Sequence, residues 1–290
     1  MVTRREFLAA AAFAAGKPEL SLTDTPGDKV TVKQGAVTLL EYRYSPALPK
    51  SYIHPLCLPD GRVLTLDSPP DHVHHRGLMV AWSAVNGIDF WGETNPGRHG
   101  RIVHQKFEGR IGSSAAQFVS VNHWIAEGKH LLTERRTIRV AAPGEEGLWL
   151  DWITELTPAS DPVRVAAGEH VYNGLGIRFI HEMDGGEVLN ANGAATIEKA
   201  NGGNAPWCFY KKGEAGVALF DHPSNPHHPN PFFVMNQPFG YLSAAPTFRE
   251  SFDLAAGRTL RFHWGVLAFP TVPSGAVLQH RFQSWTREKS

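Results

Sequence analysis

The chain has 290 residues, 42% of them hydrophobic and 19% charged, a balance that excludes intrinsic disorder and leaves enough apolar side chain for a large core. Lys plus Arg and Asp plus Glu stand at 28 each, so the formal net charge is zero. The basic field that a nucleic-acid or membrane-surface protein needs is therefore missing.

Gly 28 and Pro 21 punctuate the chain with turns, which predicts many short strands. The first segment, Thr3-Arg4-Arg5-Glu6-Phe7-Leu8 before an alanine run, has the form of a twin-arginine export signal. It predicts a processed leader over 1–16 and a periplasmic or secreted protein. Residues 17–290 then read as one β-sandwich domain. No stretch approaches the roughly 20 apolar residues a spanning helix requires, so no membrane insertion is expected. Cys57 and Cys208 are the two cysteines, an even count that permits a disulfide in an exported protein.

Lys29 to Leu40 alternates around a Gln34-Gly35 turn and reads as a hairpin. Short strands follow over 62–66, 102–107, 118–124, 131–140 and 148–156. The last two are joined by Ala-Pro-Gly-Glu-Glu-Gly into a long hairpin. Further strands are predicted over 175–181, 194–198, 217–221, 259–267 and 277–282. Gly or Pro interrupts nearly every window that could hold a long amphipathic helix, and no fixed-period repeat appears. The predicted fold is all-β, a large antiparallel sandwich of two packed sheets with few or no helices.

The densest polar segment is Asp71-His72-Val73-His74-His75-Arg76. In an extended chain His72 and His74 point to one face and His75 to the other, so His72 and His74 are candidate ligands for a divalent metal. No cofactor is certain. His74 and His75 are candidate acid and base groups, since imidazole titrates near neutral pH. Arg76 is a candidate holder of a developing oxyanion, because its guanidinium never deprotonates. Ala81 to Glu93 carries an Asn86-Gly87 turn flanked by aromatics, with Trp91 and Glu93 as candidate sugar contacts. His104 follows in Gly100-Arg101-Ile102-Val103-His104 and, with Asp71, is a further candidate substrate contact. Glu169 and Tyr172 are acid/base and binding candidates in the middle segment, where Arg178 reads as a charge clamp. In Asp221-His222-Pro223-Ser224-Asn225-Pro226-His227-His228-Pro229, three prolines stiffen a polar loop. It supplies His222 as a catalytic candidate, with Asn225 and His228 for binding. All these segments are expected to open into one concave pocket. Signatures for a phosphate loop, a nucleophile elbow and a zinc helix are absent.

His74-His75-Arg76-Gly77-Leu78, Val85-Asn86-Gly87-Ile88-Asp89-Phe90-Trp91, Gly100 to His104, the Asp221–Pro229 loop and Asn236-x-Pro238-Phe239-Gly240 resemble a bacterial family of unknown function labelled "methane oxygenase PmoA". The resemblance covers roughly residues 30 to 285. It implies a large, often exported β-sandwich similar to the galactose mutarotase supersandwich, in a carbohydrate-catabolic setting. Three readings stay open: an enzyme acting on a small-molecule carbohydrate (epimerase, lyase or hydrolase), a non-catalytic carbohydrate-binding module, and a copper or iron oxygenase, since imidazole suits either metal. The oligomeric state is not legible.

Overall fold

The computed structural model describes residues 19–93, 99–109 and 116–287. The predicted leader over 1–16 lies outside the described residues. Half of the chain is strand and 7% helix. Two eight-stranded antiparallel sheets form the sandwich. The first runs, in spatial order, through Leu20–Thr25, Lys29–Gln34, Val37–Arg43, Tyr52–Leu56, Leu78–Ala81, Gly174–Arg178, Tyr241–Ala244 and Phe232–Met235. The second runs through Glu187–Asn190, Trp207–Lys212, Ala215–Asp221, Leu260–Phe269, Leu148–Pro158, Lys129–Val140, Ala116–Ala126 and Arg101–Glu108. A three-stranded sheet joins Phe252–Leu254, Val163–Ala166 and Ala84–Val85.

The hairpins form where alternation and turn chemistry agree. Lys29–Gln34 pairs with Val37–Arg43, and Lys129–Val140 with Leu148–Pro158. Asn86 and Gly87 both take positive φ, at 51° and 80°, the conformation a tight hairpin turn of this kind requires. The main apolar core includes Leu175, Ile177, Val234 and Leu242 from neighbouring strands of the first sheet.

Several expected elements differ. Residues 277–282, predicted as strand, lie inside the helix Gly275–Trp285, whose first turn is capped by the Ser274 side chain accepting from the Val277 N–H. The helix packs Leu278 and Trp285 into a second apolar cluster with Trp149, Phe220 and Phe269. Residues 194–198 give way to the one-turn helix Ile197–Ala200, capped by Thr196. Residues 62–66 make only isolated bridges, at Val63 and Thr65. Cys57 and Cys208 are both buried and free, so the disulfide that the even count permitted does not form.

Candidate functional site

The central strands of the first sheet set the floor of a cavity. Along Gly174–Arg178 the side chains alternate: Leu175 and Ile177 enter the core, while Gly176 and Arg178 face the other way. The register Arg178↔Tyr241 and Tyr241↔Met235 puts Tyr241 and Met235 on that same outer face. Gly176 is required there, because a Cβ would overlap the Tyr241 hydroxyl. The hydroxyl is buried and has no hydrogen-bond partner among the described residues, so it is an unspent donor at the cavity floor.

Above this floor opens a cavity of about 390 Å³. One wall is His72 and His75; another is Glu169, His170 and Tyr172; Phe233 and Phe239 supply aromatic sides. Residues 69–75 are two successive turns, with His72 N–H donating to the Pro69 carbonyl and His75 N–H to the His72 carbonyl. Three-residue steps bring His72 and His75 face to face, with ring centroids 4.7 Å apart and planes 19° apart. The segment is turned rather than extended, and the His72 and His74 rings lie edge to face with centroids 5.6 Å apart. The His74 ring lines none of the cavity, and Lys50 donates to its backbone carbonyl at 3.5 Å.

The tautomers follow from the partners. Asp71 Oδ2 lies 2.9 Å from His72 Nδ1, and a carboxylate only accepts, so Nδ1 carries a proton and, in the neutral ring, Nε2 is the one with the lone pair. Arg178 Nη1 lies 3.2 Å from His75 Nδ1, and a guanidinium only donates, so His75 carries its proton on Nε2. Arg178 also holds Asp71 at 3.1 Å and stacks 3.7 Å over the Phe239 ring. Partial burial pushes the Asp71 carboxyl up, but hydrogen bonds from His72 and Arg178 and the guanidinium charge outweigh it and hold it at about 2. Burial, then the neighbouring His74, His72 and Arg178, push His75 down to about 2. Burial and the Asp89 charge raise the Tyr172 hydroxyl to about 12, and burial raises Tyr241 well above its ordinary value. At neutral pH the cavity thus holds a carboxylate-oriented imidazole, a fixed imidazole donor and two protonated phenols.

Residues 29–283 match the family described as "Family of unknown function (DUF6807)". The chain belongs to that family. That description carries no methane-oxygenase label. No curated protein matches the chain. Among solved structures it is similar to heparan sulfate lyase HepC from Pedobacter heparinus, at a TM-score of 0.42 and 10% identity over 85% of this chain and 34% of the lyase. A heparinase III gene product matches at a TM-score of 0.40 and 10% identity over 90% of this chain and 36% of that one. The chain spans about a third of the length of both.

In this member of the family, the remaining predicted residues divide between structural networks. Arg76 does not face the cavity as an oxyanion holder. Its Nη2 donates to Glu93 Oε2 at 2.6 Å, and Asp67 Oδ1 lies 3.5 Å from Nη1. Glu93 in turn lies 2.8 Å from Lys50 Nζ, and these Lys50 and Glu93 side chains are only 1% and 5% exposed. Both Arg76 and Glu93 are thus committed to a buried ion cluster. Trp91 backs the cavity, packing 5.0 Å from Tyr172, with no partner for its Nε1 among the described residues. His104 lies on the edge strand of the second sheet, against Tyr44 and Phe107, 2.8 Å from Ser120 Oγ.

The Asp221–Pro229 loop stands apart as well. Asp221 is fully buried and accepts from Asn225 Nδ2 at 2.7 Å, His228 Nδ1 at 2.8 Å and the Asn230 N–H at 2.9 Å. Asn225 also spans to the His263 backbone. His222 stacks 4.6 Å from His263 and meets Trp285 edge to face at 4.8 Å. The polar density of this loop is thus spent on its own fold, and His222, Asn225 and His228 line none of the cavity. The single pocket expected to gather both histidine loops is not formed. Among the described residues no three His, Cys, Asp or Glu side chains group to hold a metal ion, so the pair His72 and His74 lacks a third ligand.

Sequence reasoning left Tyr241, Phe233, Phe239 and His170 out of the site. The signal for Phe239 was the Pro238-Phe239-Gly240 motif. The others read as ordinary strand or loop residues.

Proposed function

We propose that this protein acts on a carbohydrate in the His72–Tyr241 cavity, as a proton-transferring enzyme of the epimerase or lyase class. The observation that carries the reading is His72. Asp71 fixes its Nδ1–H, which leaves Nε2 as a base beside an aromatic-walled cavity. Sugar rings have apolar faces that pack on Tyr172, Phe233 and Phe239, and hydroxyls that bond to the polar tips around them. His72 Nε2 takes the proton from a sugar carbon next to a carbonyl, and the electron pair moves onto the carbonyl oxygen. The Nε2–H of His75 and the phenols of Tyr172 and Tyr241 are the donors for that oxygen. In the lyase reaction the His72 Nε2–H then gives that proton to a leaving group one carbon further on, while Glu169 accepts a hydrogen bond from a sugar hydroxyl. Hydrolysis by paired carboxylates has less support, because Glu169 is the one carboxylate lining this cavity among the described residues. Export through the 1–16 segment is part of the same proposal, and replacing Arg4 and Arg5 together by Lys should keep the protein in the cytoplasm.

The second reading, a non-catalytic carbohydrate-binding module, is favoured by His75, which is a fixed donor rather than a proton carrier. Conversion of sugar mixtures separates the two. His72→Ala should lower turnover by about 10²-fold or more, the scale for one positioned acid or base, at unchanged melting temperature. Wild-type turnover in that variant makes His72 architectural and puts the binding module first.

A further inference from the structure

Beside the first cavity lies a second, of about 560 Å³. Glu169 and His170 line both, so the two hollows meet across a shared ridge. Their chemistry differs. The first is walled by aromatic rings; the second carries Ser83, Asp89, His99 and Glu127. Asp89 is built into place. Its Oδ1 accepts the N–H groups of Trp91 at 2.7 Å and Gly92 at 3.0 Å, and its Oδ2 lies 3.2 Å from His99 Nδ1. Gly92 permits this meeting, because a Cβ there would stand 2.6 Å from Asp89 Oδ2 and 2.8 Å from the His99 ring. Glu127 sits on the turn between Ala116–Ala126 and Lys129–Val140, with φ at 50°.

The charges are one-sided. Glu169 on the ridge and Asp89 and Glu127 in the second hollow present carboxylates. Among the described residues no Lys or Arg lines either cavity, and neither Glu127 nor Glu169 has an ion-pair partner. The nearby cations are already used: Arg178 holds Asp71, while Arg76 and Lys50 hold Glu93. Among the described residues, a sugar carboxylate or sulfate in these hollows would meet like charge with no fork to receive it.

We infer, on the carbohydrate reading above, that the ligand is an uncharged or amino-bearing oligosaccharide of at least two units, laid across the Glu169–His170 ridge with the carbonyl-bearing unit in the first cavity and the next unit in the second. The linkage between the two units then sits beside Glu169 and His170. One unit packs on Tyr172, Phe233 and Phe239; the next bonds to Asp89 and Glu127. Each hollow falls in the size range of small-molecule sites. Neutral hydroxyls and ammonium groups suit the carboxylates of the second hollow.

The test is calorimetric titration of the full chain with a glycan panel. The panel holds neutral, amino and uronic oligosaccharides of one to six units in several linkages. The expected result is affinity rising at least tenfold from one unit to two or three, with uronic members at least tenfold weaker than neutral ones of equal length. The double variant Glu127→Gln/Glu169→Gln should narrow that charge gap several-fold. Uronic chains binding as well as neutral ones would overturn the charge assignment and leave the carbohydrate reading standing. Monosaccharides binding as tightly as longer chains would overturn the two-cavity placement. No binding by any member would overturn the carbohydrate reading and this inference with it.

Discussion

Glu93→Ala should destabilise the fold strongly without touching the cavity. The Glu93 side chain is 5% exposed and takes two cations at once. Arg76 Nη2 reaches it at 2.6 Å and Arg76 Nε at 3.1 Å, while Lys50 Nζ reaches it at 2.8 Å. Removing the carboxylate strands Lys50, which is 1% exposed and keeps only the Trp91 carbonyl at 2.6 Å and the His74 carbonyl at 3.5 Å. Burial already pulls the Lys50 ammonium below its ordinary value, and Glu93 is the main group opposing that pull. Breaking a buried pair from one side costs about 3–5 kcal/mol. Arg76 is 15% exposed and retains Asp67, so the lower end, about 3 kcal/mol, is the expectation. That is a large part of a typical stability of about 5–15 kcal/mol. Urea unfolding followed by tryptophan fluorescence measures it, and the eight tryptophans give ample signal. Lys50→Met combined with Glu93→Gln should cost less than Glu93→Ala alone, because no cation is then left without a partner. A loss under about 1 kcal/mol for Glu93→Ala would refute the buried-cluster account.

Acid should unfold the protein early. His74, His75, His104 and His222 are pushed down to about 4, 2, 4 and 4, with burial the leading cause in each. The unfolded chain binds a proton at each near pH 6.5 and the folded chain does not, so stability is full above that pH and falls below it, by up to about 1.4 kcal/mol per pH unit for each group. His75→Asn should flatten the slope measured by urea titration between pH 6 and 4 by about one proton; an unchanged slope refutes the assignment. Tyr241→Phe removes a hydroxyl that has no partner among the described residues, so stability should stay within about 0.5 kcal/mol while sugar affinity falls about tenfold. Equal affinity by titration would remove Tyr241 from the site. His222→Ala should leave sugar affinity within about twofold, since the ring packs on His263 and Trp285; a loss of about tenfold or more would move the site to the other loop.

Strands were legible where alternation and turn residues spoke together, as at Lys29–Arg43 and Asn86-Gly87. The helix Gly275–Trp285 was not, because only Leu278 and Trp285 are buried on it, too sparse a stripe to outweigh its β-forming Val277 and Phe282. Ser274 at the cap was the available signal. The candidate site was half legible. Polar density marked Asp71–His75 and Glu169–Tyr172, of which His72, His75 and the whole of Glu169–Tyr172 line one cavity. The same density marked Asp221–His228, where one buried carboxylate consumes the donors around it. Sequence shows polar groups but not whether they satisfy one another. Tyr241 and Phe233 escaped because an aromatic residue on a strand reads as core until register shows which face it occupies.

A crystal of the wild-type protein soaked with a panel of sugars tests the central claim most directly. The account predicts a sugar ring packed on Tyr172, Phe233 and Phe239, with an oxygen or carbon within hydrogen-bond reach of His72 Nε2 and an oxygen on the Tyr241 hydroxyl. Sugar density seated instead against His222, Asn225 and His228, with the His72–Tyr241 cavity holding none, would contradict it.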